Sequence, residues 1–178
     1  MPRTEYHSHF SADCEKFPRI SKVPLLPFKT KFKGPAGSAA PDARDIIDEA
    51  IFYFRANVLF QSFEIKSHAD CLLIISTLLI QKIIKTLKKF DSKKAADKEI
   101  QKFLHDNATL PSDRSHPLKN LCPKAESSKD AEKLRNYLTQ LRKELLTRML
   151  EILYNDAGEP NKWWFQFHKM KFMGMEIK

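Results

Sequence analysis

Six histidines and three cysteines are the side chains in this sequence that could ligate a metal or act as nucleophiles. His7-x-His9 is the one close histidine pair, and it lies in a terminal segment expected to be mobile. His68, His105, His116 and His168 are scattered, with no Glu-x-x-His spacing to set two ligands on one helical face. Cys14, Cys71 and Cys122 are odd in number and contain no Cys-x-x-Cys pair. That speaks against a zinc ribbon or a disulfide framework and fits a reducing compartment. Phosphate-cradling patterns are missing as well: there is no Gly-x-x-x-x-Gly-Lys and no Gly-x-Gly-x-x-Gly among the four glycines. No Ser, Cys or His stands in a recognisable nucleophile setting. The chain is therefore read as a non-enzyme that needs neither cofactor nor metal.

Binding chemistry is better represented. The formal net charge is +9, and the excess sits at the two chain ends. Lys29, Lys31 and Lys33 alternate with Thr30 and Phe32, and Lys162, Lys169 and Lys171 surround Trp163 and Trp164. Basic residues with interleaved aromatics can neutralise and stack on single strands, so a basic helical nucleic-acid-binding domain is the alternative reading. Against it, the spacing of Trp163, Trp164, Phe167 and Met170 suits a buried helical stripe, leaving the lysines as a solvated face. A membrane-surface helix would fit Trp163 to Lys171 but nothing else in the chain. In an extended segment, alternate residues share a side, so Lys29, Lys31 and Lys33 would form one basic edge while Phe28 and Phe32 face the body. Adjacent helical positions point about 100° apart, so either one of Trp163 and Trp164 packs inward while the other covers the arm or a partner, or both lie in a broad core. Lys29, Lys31, Phe32, Lys33, Lys162, Trp163 and Trp164 are the candidate partner-binding residues.

These residues need elements to hold them. Six prolines in residues 1–41 exclude a helix there and predict an extended N-terminal arm, anchored by Val23 to Phe28. Residues 42–178 should form one helical domain. The first helix is expected from Asp45 to Phe60, with Asp42 as candidate N-cap and Ile46, Ile47, Ala50, Ile51, Phe54 and Val58 on one stripe. Ser67-His68-Ala69-Asp70 reads as a capping box before the run Cys71 to Ile80, which is apolar all round and should be the buried centre. That run is too short to span a bilayer, and the N-terminus carries no apolar signal region. A third helix is expected over 94–105 and a loop over 106–126. A second capping box at Ser127-Ser128-Lys129-Asp130 opens a long helix to about Tyr154. Turn chemistry from Asn155 to Pro160 ends it, and a last short helix follows Asn161. No strand pair is evident, so the fold class is all-α.

Several segments in collinear order resemble a known family. Leu25-Leu26-Pro27, Phe32-Lys33-Gly34-Pro35-Ala36, Asp45 through Val58 (DIIDEAIFYFRANV), Phe63-Glu64-Ile65-Lys66, Ala69-Asp70, Tyr137 through Arg142 (YLTQLR) and Lys162-Trp163-Trp164 together resemble subunit 3 of the actin-related protein 2/3 complex, across residues 23–173. The resemblance implies a small helical accessory subunit of a seven-subunit assembly that nucleates branched actin filaments. It further implies docking mainly on actin-related protein 3, contact with the other subunits and actin filaments, and no nucleic acid or membrane insertion. The implied location is the cytoplasm and cytoskeleton, in the actin-rich cortex and protrusions. Actin-family surfaces are acidic, so the basic edge of the arm would face such a surface.

Overall fold

The computed structural model describes residues 5–177. The chain is mostly helical: α1 (Ile46–Asn57), α2 (His68–Leu87), α3 (Asp97–His105), α4 (Ser128–Leu153) and α5 (Lys162–Phe165), with short 3-10 turns near both ends. It is not purely helical. β1 (Arg19–Ile20) and β2 (Val23–Pro24) pair antiparallel, Arg19 opposite Pro24 and Ile20 opposite Val23. Ser21 holds φ at 58° to close this hairpin. A two-residue turn needs positive φ, and Ser-Lys advertises that far less than Asn-Gly would, so the sequence reading missed the pair.

The centre is α2. From Cys71 to Ile80 every residue is buried. One helix face can be covered by one neighbour; a helix apolar on all sides needs several. α1, α4, β2 and the C-terminal 3-10 turns all pack against it. Desolvation in this core pushes the Cys71 thiol up to about 11, so it packs as a small apolar group and has little thiolate character.

Caps explain where the helices begin. Ser67 accepts a hydrogen bond from the Asp70 amide, as a cap should. Asp70 does not return the favour to the Ser67 amide. Its fully buried carboxylate accepts from the Ser8 amide at 2.8 Å and the Lys66 amide at 3.0 Å, and meets His7 Nδ1 at 3.1 Å. Asp45, not Asp42, caps α1, and with Asp48 it forms the reciprocal box. Ser127 caps α4, its hydroxyl also donating to Asp130. α1 stops at Asn57 and α3 starts at Asp97, each three residues inside its expected limit. Gly158, at φ 79°, turns the chain back after α4, where Asn155 accepts from the Glu159 amide.

The N-terminal segment is not a single extended arm, and its His7 and His9 are hydrogen-bonded to Asp70 and Glu49. It contains 3-10 turns at His9–Ser11 and Cys14–Lys16, then the hairpin. Buried Glu49 accepts from the Ser8 hydroxyl at 2.6 Å and the His9 amide at 2.7 Å. Asn57 pairs with the Tyr6 backbone through both amide atoms. Glu49, early in α1 where the helix dipole favours acid, and Asn57 at its end thus fasten this strap.

Beyond the hairpin, Leu25, Leu26 and Phe28 enter the same core as the helices. Phe28 meets Tyr137 edge to face, and the Tyr137 hydroxyl donates to the Leu26 carbonyl at 2.8 Å. Gln140 accepts from the Ala36 amide and donates to the Phe32 carbonyl. Gly34 is required where the chain crosses it: a Cβ there would lie 2.3 Å from Gln140 Oε1.

One guanidinium ties the arm, α1 and α4 together. Arg148 donates to Asp45 (2.8 and 2.9 Å), Asp48 (2.7 Å), Glu144 (2.9 Å) and the Lys29 carbonyl (2.6 Å). Lys29 Nζ also reaches Asp48 at 2.7 Å. Removing the guanidinium from this partly buried network leaves the fully buried Asp45 carboxylate uncompensated. Arg148→Met should therefore cost about 3–5 kcal/mol in urea unfolding. The network also sets an acid limit. Burial alone would raise the Asp48 carboxyl, but the Lys29 hydrogen bond, the Asp45 amide and the Arg148 charge together hold it below its ordinary 3.8. A depressed carboxyl contributes stability that is present above its unfolded pKa and lost as pH falls through the folded one. Stability should decline below about pH 4, and Asp48→Asn should flatten that decline while lowering stability at neutral pH.

Candidate docking surface

The outward face of α1 carries an aromatic and arginine strip. Phe52 and Arg55 lie at i and i+3, on the side opposite the buried Ile46, Ala50 and Phe54, and Leu59 is exposed in the turn that follows the helix. Phe52 is 63% exposed, and Arg44 lies 4.4 Å above its ring. Tyr53 meets Phe52 edge to face, and Tyr6 stacks on Tyr53 at 5.1 Å. Arg55 lies 5.9 Å over Trp164, which stacks on Phe54. Trp163, beside it, is the most exposed large apolar side chain among the described residues, at 77%.

Local structure explains the two tryptophans. Asn161 caps α5 by accepting from the Trp163 amide, and α5 lasts only four residues before tightening into a 3-10 turn over Gln166–Lys169. The expected long apolar stripe is therefore broken. Phe165 turns into the core against Tyr154, Trp164 lies half-buried on α1, and Trp163 and Met170 point outward. Lys162 is exposed next to Trp163.

The arm presents a second, weaker surface. Lys31 and Lys33 are exposed and Phe32 is half-buried. Lys29 does not join them on a free edge, since it is engaged with Asp48. The chain bends at Lys31 and Phe32, so strict alternation is lost. Lys29, Lys31 and Phe32, but not Lys33, line an open cleft of about 730 Å³ between the arm and Glu144, Thr147 and Glu151 of α4.

The structure thus brings Trp164 to α1, against Phe54 and Arg55, sets Trp163 outward on the neighbouring α5 and leaves Lys31 and Lys33 on the arm. Phe52, Arg44 and Arg55 were missed as site residues. The available signal was Phe52 itself, an aromatic standing off the α1 stripe on its polar side. Among the described residues, no cluster of His, Cys, Asp and Glu could hold a metal ion, and no helix is long and apolar enough to cross a membrane.

Fold and surface define a mostly helical protein that exposes Phe52 with Arg44 over its ring, Tyr6 and Trp163, residue types that concentrate binding energy at protein interfaces. The family model described as P21-Arc, ARP2/3 complex ARPC3 (21 kDa) subunit, matches residues 1–177, so the similarity runs beyond the 23–173 span visible in the motifs. The actin-related protein 2/3 complex subunit 3 of Arabidopsis thaliana is 41% identical over 172 residues, covering 97% of this chain and 98% of that one. The subunit 3 of Schizosaccharomyces pombe is 39% identical over 173 residues (97% and 98%), and that of Dictyostelium discoideum 37% over 173 (97% and 99%). The chain belongs to the ARPC3 subunit family.

The two tryptophans give a direct check of the surface. Acrylamide should quench Trp163 as a free indole and Trp164 several-fold less. Trp163→Ala and Phe52→Ala should each leave stability within about 0.5 kcal/mol, as exposed substitutions do. Trp164→Ala should lower it measurably, because it removes packing on Phe54 and Phe167.

Proposed function

We propose that this chain is a non-catalytic scaffold subunit of the actin-related protein 2/3 complex, docking on actin-related protein 3 and supporting nucleation of branched actin filaments. The observation that carries the docking mode is the exposed Phe52 and Trp163 on a rigid helical body, flanked by Arg44 and Arg55. Family membership supports the assembly. The physical role is binding energy: a rigid subunit that binds the filament-like arrangement of the actin-related subunits better than the splayed one shifts their population toward nucleation. The contacts of α1 and α5 would supply affinity. Lys31 and Lys33 would face acidic surface in the complex or the filament, with Lys29 holding the arm in place. Exposed charges of this kind are worth only ~0.2–1 kcal/mol each, so they act on approach and register more than on affinity. Lys162, next to Trp163, would belong to the rim of the aromatic site. A cytoplasmic, cytoskeletal location follows from the same reading, at the actin-rich cortex and protrusions.

Reconstitution of the complex tests this. Truncating a buried interface aromatic costs about 2 kcal/mol or more, roughly thirty-fold in affinity. Phe52→Ala with Trp163→Ala should therefore weaken capture of actin-related protein 3 by about three orders of magnitude if the two losses add and reduce branch formation in proportion. Lys31→Glu with Lys33→Glu should weaken assembly or branching only a few-fold, and more at low salt than at high salt. Undiminished incorporation of the aromatic double variant would reject the strip as the docking surface.

A further inference from the structure

The C-terminal end of α2 and the segment after α5 enclose a groove of about 410 Å³. Its lining is dense in cations from two separate elements. Lys85 lies in the last turn of α2, Lys88 is its C-cap and Lys89 follows it, while Lys169 and Lys171 come from the facing segment beside the imidazole of His168. The helix dipole accounts for cations at the end of α2, but not for a second set brought in from about eighty residues further along the chain. That second wall is held by buried Gln81, whose amide donates to the Met175 carbonyl at 2.9 Å and accepts from the Phe172 amide at 2.8 Å. A single acid, Glu176, lines the groove; it pairs with both Lys85 and Lys171. The Lys85 ammonium holds the Glu176 carboxyl below its ordinary value. Lys88, Lys89 and Lys169 have no carboxylate partner among the described residues, although Lys88 lies 5.9 Å over the Phe165 ring.

We propose that this groove is a binding site for a compact anion bearing clustered phosphates, of the inositol polyphosphate class, with Glu176 as its resident counter-ion. Five lysines against one carboxylate leave a concentrated positive field in a small concavity. Lysine suits phosphate as a point charge. The α2 lysines fall within about 6 Å of helix rise. That spacing matches phosphates crowded on one ring better than carboxylates strung along an extended peptide, where same-side residues recur only about every 7 Å. The source is the free anion and not a lipid headgroup, because Met170 is the one large apolar side chain exposed at the rim, too little to insert into a bilayer. This site is separate from the docking strip and does not depend on it.

Titration calorimetry of the full-length chain with inositol hexakisphosphate tests the assignment. One-to-one binding that weakens with salt is expected. Lys88→Glu with Lys169→Glu should reduce affinity about tenfold or more, whereas Lys119→Glu with Lys133→Glu, equal in charge change but outside the groove, should reduce it less than about three-fold. Glu176→Gln should tighten binding several-fold, a gain that an unfolded protein would not give. Equal losses in the two double variants, or no gain in Glu176→Gln, would overturn the site. A poly-aspartate peptide binding as tightly as the polyphosphate would overturn the ligand class in favour of an acidic protein segment. Vesicles containing phosphatidylinositol 4,5-bisphosphate binding tenfold tighter than the free anion would overturn the soluble source.

Discussion

The constraint on which this structure depends is the burial of α2 on every side. A ten-residue run from Cys71 to Ile80 with no exposed face obliges the rest of the chain to become its cover. Two helices cannot enclose a third completely, so irregular segments must finish the task. The hairpin and Leu25 to Phe28 cover part of it, α1 and α4 cover more, and the C-terminal turns close the remainder through Phe172 and Ile177. Irregular backbone laid over a core must find hydrogen-bond partners. This explains the buried Glu49, Asp70, Gln81 and Gln140, each of which serves a non-helical segment through its amides or carbonyls. Arg148 belongs to the same logic, holding the arm's Lys29 carbonyl with the start of α1.

The helices were legible because their signals are local. Ser67 and Ser127 stand at the caps, and the α4 stripe through Leu134, Leu141, Leu145 and Met149 follows helical spacing into the core. The N-terminal segment was less legible because its structure comes from distant partners. Nothing near His7 and His9 in sequence foretells that Asp70 and Glu49 will hold that strap, and Asp45, Asp48 and Glu49 read locally as simple complements to a helix dipole. The same distance effect removed Lys29 from the free basic edge. The α5 region misled for another reason: four residues of helix followed by a 3-10 turn break the 3.6-residue period, so Trp163 and Met170 leave the stripe their spacing suggested.

Rigidity and exposure are linked in the candidate docking surface. Phe52 and Trp163 stand on elements whose opposite faces are locked into the core by Phe54 and Phe165. Aromatic anchors presented this way lose little conformational freedom on binding, which lets a modest surface bind tightly. Arg44 and Arg55 hold their guanidinium groups over Phe52 and Trp164, shielding part of the apolar area in the free chain while remaining available to carboxylates. The resemblance seen in sequence and the family match agree on the protein's class. The physical contribution of the structure is a specific face of it.

Hydroxyl-radical footprinting of the chain, alone and within the assembled complex, measures that face without altering any residue. The account predicts strong oxidation of Phe52 and Trp163 in the free chain and deep protection of both on assembly, with Tyr6 following and buried Phe54 silent in either state. Oxidation of Phe52 and Trp163 at the same rate in the complex as in the free chain would contradict it.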